Sequence, residues 1–84
     1  MELGIEPKFL EDLSFWVATN PRVAARILRL VEDVRREPFH GTGKPEPLRF
    51  MGGDIWSRRI TEEHRLVYKV DAGRVVFLQC RYHY

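Results

Sequence analysis

The hydrophobic rhythm of this chain turns from helical to extended across a stretch that suits neither a helix nor a strand. Before residue 38, apolar side chains recur at helical spacing. Phe9, Leu10, Leu13, Trp16 and Val17 form one set, and Val23, Ile27, Leu30, Val31 and Val34 a second. From Leu48 onward the apolar residues recur as strands require, on alternate positions. Between the two regimes lie Pro38, Gly41, Gly43, Pro45 and Pro47, which restrict or free the backbone too often for a regular element.

The punctuation within each half refines the picture. Pro7 suits the first turn of a helix, and Asn20-Pro21 reads as a break and restart, with Asn20 capping and Pro21 at the first helical position. So short a link predicts two antiparallel helices in a hairpin. Gly52-Gly53-Asp54, Thr61-Glu62-Glu63 and Asp71-Ala72-Gly73 read as turns, leaving strands near 47–50, 55–60, 64–70 and 74–81. Met1–Ile5 is short and mostly apolar and reads as a further strand. The expected fold is α+β in the order β-α-α-β-β-β-β: an N-terminal helical hairpin on one face of a mostly antiparallel twisted sheet. Eighty-four residues make a single domain, 1–84.

Alternation then divides the sheet. Leu66, Tyr68 and Val70, with Val76, Leu78, Cys80 and Tyr82, are expected under the helices. Arg65, Val67 and Lys69, with Phe77, Gln79, Arg81 and His83, fall on the other face, which is mixed, basic and free to meet a ligand.

Charge and composition narrow the function. Residues 1–42 carry six Lys/Arg against seven Asp/Glu; residues 43–84 carry eight against five. The basic excess is local to the half that ends Arg81-Tyr82-His83-Tyr84, which fits a phosphate-facing patch. The single cysteine, Cys80, excludes an internal disulfide or a cysteine cage and reads as a buried thiol. His40, His64 and His83 lack metal-ligand spacing, and Gly41-Thr42-Gly43-Lys44 lacks the spacing of a phosphate loop, so no cofactor is expected. No apolar run approaches the roughly 18 residues of a membrane span, and no signal-peptide pattern opens the chain. A cytoplasmic protein with no membrane partner is expected.

Cutting RNA without a metal takes a base for the ribose 2′-hydroxyl, an acid for the departing 5′-oxygen, and cations for the charge growing on phosphorus. Glu46, fixed between Pro45 and Pro47, reads first as a solvated loop carboxylate and second as such a base. Arg65 and Arg59 read as phosphate holders or as partners of Glu62 and Glu63. His83 has the residue type for either proton step, or is a frayed terminal residue. Tyr84 is suited to stacking on a base or bonding a phosphate. Lys44 and Arg49 flank Glu46 as further cations. Trp16 and Trp56 read as core or subunit-contact residues.

Four ordered blocks carry a resemblance: Gly43-Lys44-Pro45-Glu46-Pro47-Leu48, Trp56-Ser57-Arg58-Arg59-Ile60, Glu62-Glu63-His64-Arg65-Leu66-Val67-Tyr68 and Cys80-Arg81-Tyr82-His83-Tyr84. With Arg35-Arg36-Glu37-Pro38-Phe39 they closely resemble the YoeB (Txe) toxins of the RelE superfamily. The resemblance implies a toxin of a bacterial type II toxin–antitoxin pair that enters the ribosomal A site, cleaves mRNA there and is neutralised by a YefM-type antitoxin. By position it makes Glu46 the general base, His83 the general acid and Arg65 the transition-state stabiliser, with Arg59 supporting phosphate binding. Tyr84 then shapes the site, and Lys44 and Arg49 contact substrate. Arg49 stands where the family often has Lys, and residues 50–54 and the first twenty match less well. The runner-up expectation is a non-nucleolytic toxin of the same fold that poisons gyrase or blocks the ribosome by protein contact. Self-association into a homodimer is left open.

Overall fold

The computed structural model describes residues 1–82. Its elements run β1 (Glu2–Ile5), α1 (Pro7–Thr19), α2 (Pro21–Arg36), β2 (Glu46–Pro47), a 3₁₀ turn (Arg49–Met51), β3 (Ile55–Arg59), β4 (Arg65–Asp71) and β5 (Arg74–Gln79). The sheet order is β1-β5-β4-β3-β2; β1 runs parallel to β5 and every other pair is antiparallel. This is the expected β-α-α-β-β-β-β arrangement. No helix among the described residues is long and apolar enough to cross a membrane.

Each helix opens with proline at its first turn, where the missing N–H removes no intrahelical bond. Asn20 occupies the joint, but its side chain makes no capping hydrogen bond. Its backbone does the work, its N–H closing α1 on the Trp16 carbonyl and its carbonyl accepting from Val23 and Ala24. The core is Phe9 and Trp16 from α1, Ala24, Ile27, Leu30 and Val34 from α2, and Ile60, Leu66, Tyr68, Val70, Val75, Phe77 and Cys80 from the sheet and its strand ends. Trp56 packs at the edge of this core, its ring 5.0 Å from that of Phe39. Leu10 and Val17, expected in the stripe, point outward instead and are more than half exposed.

Two further expectations, on the strands, fail for identifiable reasons. The strand near 47–50 shrinks to Glu46–Pro47, and Arg49 starts a 3₁₀ turn. With Pro47 unable to donate, only a short edge pairing survives. On β5 it is Val75 and Phe77, not Val76 and Leu78, that enter the core. The ladder explains this: Tyr68 pairs with Phe77 but Val67 with Gln79, so one extra residue on β5 interrupts strict alternation. Beyond that irregularity Cys80 returns to the core side, as expected, but Tyr82, expected there too, is more than half exposed past the end of the strand.

Candidate active site

Register places the acidic residue. Glu46 lies opposite Ser57, and Ser57 opposite Val67, so Glu46, Ser57 and Val67 share the sheet face away from the helices. Arg65 shares that face as the first residue of β4. Its Nη1 donates to Glu46 Oε1 at 3.0 Å and reaches Ser57 Oγ at 3.5 Å. The carboxylate is open to solvent at 56% side-chain exposure, whereas Arg65 is 21% exposed and Ser57 is fully buried. One end of the pair is thus anchored and the other accessible.

Arg59 closes β3 as the cross-strand partner of Arg65 and is exposed. Its side chain makes no ion pair among the described residues, and neither Arg59 nor Arg65 bonds Glu62 or Glu63. Lys44 adopts a left-handed backbone (φ 51°) two residues before Glu46, and Arg49 follows three residues after it; both are exposed. Four cations, Lys44, Arg49, Arg59 and Arg65, therefore accompany one carboxylate along this strip of sequence and sheet. His83 and Tyr84 lie outside the described residues. The last described residue, Tyr82, is held against Arg65, whose backbone N–H donates to its carbonyl at 2.9 Å.

The sequence reading missed two members of this region. Ser57 carried a signal: it is two residues from Arg59 and so shares its face. Arg58 has the opposite parity, between Trp56 and Ile60, and that placed it under the helices. It is fully buried there. Its guanidinium meets the Asp33 carboxylate and donates to the carbonyls of Thr42 (3.1 Å) and His40 (2.8 Å), to that of Glu37, and through Nε to the Tyr68 hydroxyl (3.2 Å). Tyr68 in turn donates to the Pro38 carbonyl at 2.6 Å. A buried charge persists only when paired and hydrogen-bonded. Here its partners are the carbonyls of the loop leading to Glu46, so Arg58 shapes the route to the site from the opposite face. A cavity of about 250 Å³ lined by Arg26, Arg29, Leu30, Asp33 and Thr42 lies on this helix side, away from the Glu46–Arg65 pair.

Cys80 supplies no nucleophile. Burial, with the Asp12 carboxylate nearby, pushes its thiol up to about 12.

A helical hairpin on a five-stranded sheet, with a carboxylate and guanidinium paired on the uncovered face, has the architecture of the RelE-like toxins. A YoeB/ParE toxin from Agrobacterium tumefaciens superposes with a TM-score of 0.92 at 43% identity, covering all of both chains. Staphylococcus aureus YoeB, solved as a dimer, superposes at 0.90 with 33% identity over all of this chain and 98% of that one. A YoeB–YefM complex from the same organism gives 0.86 at 34% identity, again over all of this chain and 98% of that one. The toxin YoeB of Escherichia coli K12 is 50% identical over 74 residues, 88% of each chain. The profile of the YoeB-like toxin of bacterial type II toxin–antitoxin systems matches residues 5–84. This chain belongs to that family.

Proposed function

We propose that this toxin is a metal-independent endoribonuclease that cuts mRNA in the ribosomal A site and so stops translation. The observation that carries the reading is the Glu46–Arg65 pair, 3.0 Å apart on the sheet face the helices leave open. Glu46 takes the proton of the ribose 2′-hydroxyl, and the 2′-oxygen attacks the adjacent phosphorus. Arg65, released from Glu46 toward the phosphate, and Arg59 beside it stabilise the charge of the pentacoordinate state. His83 protonates the departing 5′-oxygen, and Tyr84 helps shape the site. Lys44 and Arg49 hold flanking phosphates as solvent-facing cations. The products are a 2′,3′-cyclic phosphate and a 5′-hydroxyl.

Each proton transfer contributes roughly 10²–10⁴-fold, and alignment of the reacting groups can supply about 7–11 kcal/mol more. A shallow, solvent-open carboxylate cannot impose that alignment on a flexible strand unaided. The ribosome is the scaffold in this account, and free RNA is cut slowly. The S. aureus dimer and YoeB–YefM structures support a YefM-type antitoxin as a partner and a homodimer. Primer extension on ribosome-bound message tests the reading. Wild type should cut within the A-site codon and Glu46→Gln should not. Translation arrest by Glu46→Gln equal to wild type, without cleavage by either, would favour the ribosome-blocking alternative.

A further inference from the structure

Past the end of β5, three consecutive residues are each fastened to the fold, the first two to α1 and the third to the start of β4. Asp12 and Trp16, one turn apart on α1, hold Cys80. Asp12 Oδ2 accepts from its backbone N–H at 3.1 Å and Trp16 Nε1 donates to its carbonyl at 2.9 Å. The Arg81 guanidinium lies 3.6 Å over the Phe15 ring. Tyr82 then donates its backbone N–H to His64 Nδ1 at 2.7 Å, while its carbonyl accepts from the Arg65 N–H at 2.9 Å.

The His64 ring is itself held. It stands edge-on to Trp16, with centroids 4.7 Å apart and planes at 80°. Its backbone N–H bonds Thr61 Oγ1 at 3.2 Å, and its carbonyl accepts from Ile60 and Thr61. Tyr82 has φ 64°, a left-handed conformation that a bulky residue keeps only when its surroundings over-determine it. The His64 and Arg65 contacts are that determination.

We propose that His64 is a positioning residue: the Nδ1 lone pair of its ring pins the Tyr82 backbone beside Arg65 and sets where the chain passes into its last two residues, the first of which is the acid of the proposed reaction. The proposal rests on the RNA-cleaving reading. Its chemistry is specific, because acceptance needs a lone pair at the Nδ1 position and a ring proton on Nε2. The substitution His64→Asn would place an amide oxygen near that position. In His64→Phe a phenyl ring keeps the Trp16 contact but has no acceptor, and in His64→Gln the amide oxygen lies one bond too far.

The test compares wild type with His64→Asn, His64→Phe and His64→Gln on ribosome-bound message, resolving kcat from KM, and follows exchange of the Tyr82 amide by NMR. His64→Phe and His64→Gln should lose on the order of 10²-fold in kcat with KM unchanged, the scale of a misplaced catalytic group. His64→Asn should remain within about threefold of wild type, a fraction of that misplacement cost. The Tyr82 amide should exchange faster in the Phe and Gln variants alone. Should His64→Phe fail to fold, the contrast between the Asn and Gln variants carries the test. Full activity in the Gln variant, or equal loss in the Asn and Gln variants, overturns the proposal. A wild type that leaves ribosome-bound message intact overturns the RNA-cleaving reading instead, and the Tyr82 exchange pattern still decides whether His64 is the tether.

Discussion

Arg65 Nη1 stands 3.0 Å from Glu46 Oε1 across the end of the sheet, joining residues 19 apart in sequence on the face the helices do not cover. The pair is lopsided, because the guanidinium is largely enclosed and the carboxylate is mostly in solvent. Such a pair contributes about 0–1 kcal/mol to stability. The fold therefore gains little from holding it.

Activity and stability should separate at this pair. Glu46→Gln should leave thermal unfolding nearly unchanged while cleavage of ribosome-bound message falls roughly 10²–10⁴-fold, the usual loss of a general base. Arg65→Ala should cost at least as much activity, and Arg59→Ala less, because Arg59 lies beside the pair rather than in it. Paired calorimetry and single-turnover cleavage check this.

Arg58 should behave in the opposite way. Its guanidinium is fully buried against Asp33, Tyr68 and three loop carbonyls. Arg58→Met leaves Asp33, which is partly in solvent, and those carbonyls without their donor, and unsatisfied buried acceptors of this kind cost about 1–3 kcal/mol. Urea unfolding should show a clear fall in midpoint, and the loop amides of residues 38–43 should lose exchange protection. By contrast Arg35→Ala, which removes a solvent-exposed pair with Glu32, should leave the midpoint unmoved.

What the sequence made legible follows from these residues. Proline spacing, strand alternation and charge placed Glu46, Arg59 and Arg65 but left their roles open, and the resemblance of the ordered blocks around them supplied those roles. The helical hairpin and the succession of elements were legible from the same local properties, whereas the parallel pairing of β1 with β5 was not, because it joins the two ends of the chain. Val76, Phe77 and Leu78 were assigned to the wrong faces because the irregularity between Val67 and Tyr68 is a property of two strands pairing, and neither strand announces it alone. Ser57 and Arg58 went unnoticed because their roles depend on partners elsewhere: the Arg65 guanidinium for one, the returning 37–42 loop for the other. His83 and Tyr84 lie outside the described residues, and their roles rest on the proposal alone.

Gly41 has φ 122°, and a side chain there would press on the Asp33 carboxylate that also receives the Thr42 N–H at 2.9 Å. Gly41→Ala should therefore strain the backbone and disturb the Arg58 cluster, with a loss of roughly 1–3 kcal/mol in chemical unfolding. Gly52→Ala, at φ 73° with nothing within 4 Å of the added methyl, should cost less.

Cys80 gives a pH signature. Its folded thiol lies at about 12 against an ordinary 9.0, so the native state keeps a proton that the unfolded chain releases. Stability from this group is complete below about pH 9 and is lost as pH rises toward 12. Tyr68, raised by its own burial, acts in the same direction. Unfolding midpoints should fall across that alkaline window, and Cys80→Ser should flatten the fall. At neutral pH the native thiol should resist iodoacetamide and react only on unfolding.

The central claim is in-line attack by the neighbouring 2′-oxygen, directed by Glu46 and Arg65. The chemistry of the cut ends tests it most directly, read by mass spectrometry on ribosome-bound message carrying either ribose or 2′-deoxyribose at the scissile nucleotide. The account requires a 2′,3′-cyclic phosphate and a 5′-hydroxyl from the first substrate and no cut in the second. A 5′-phosphate product, or cleavage that survives removal of the 2′-hydroxyl, would contradict it.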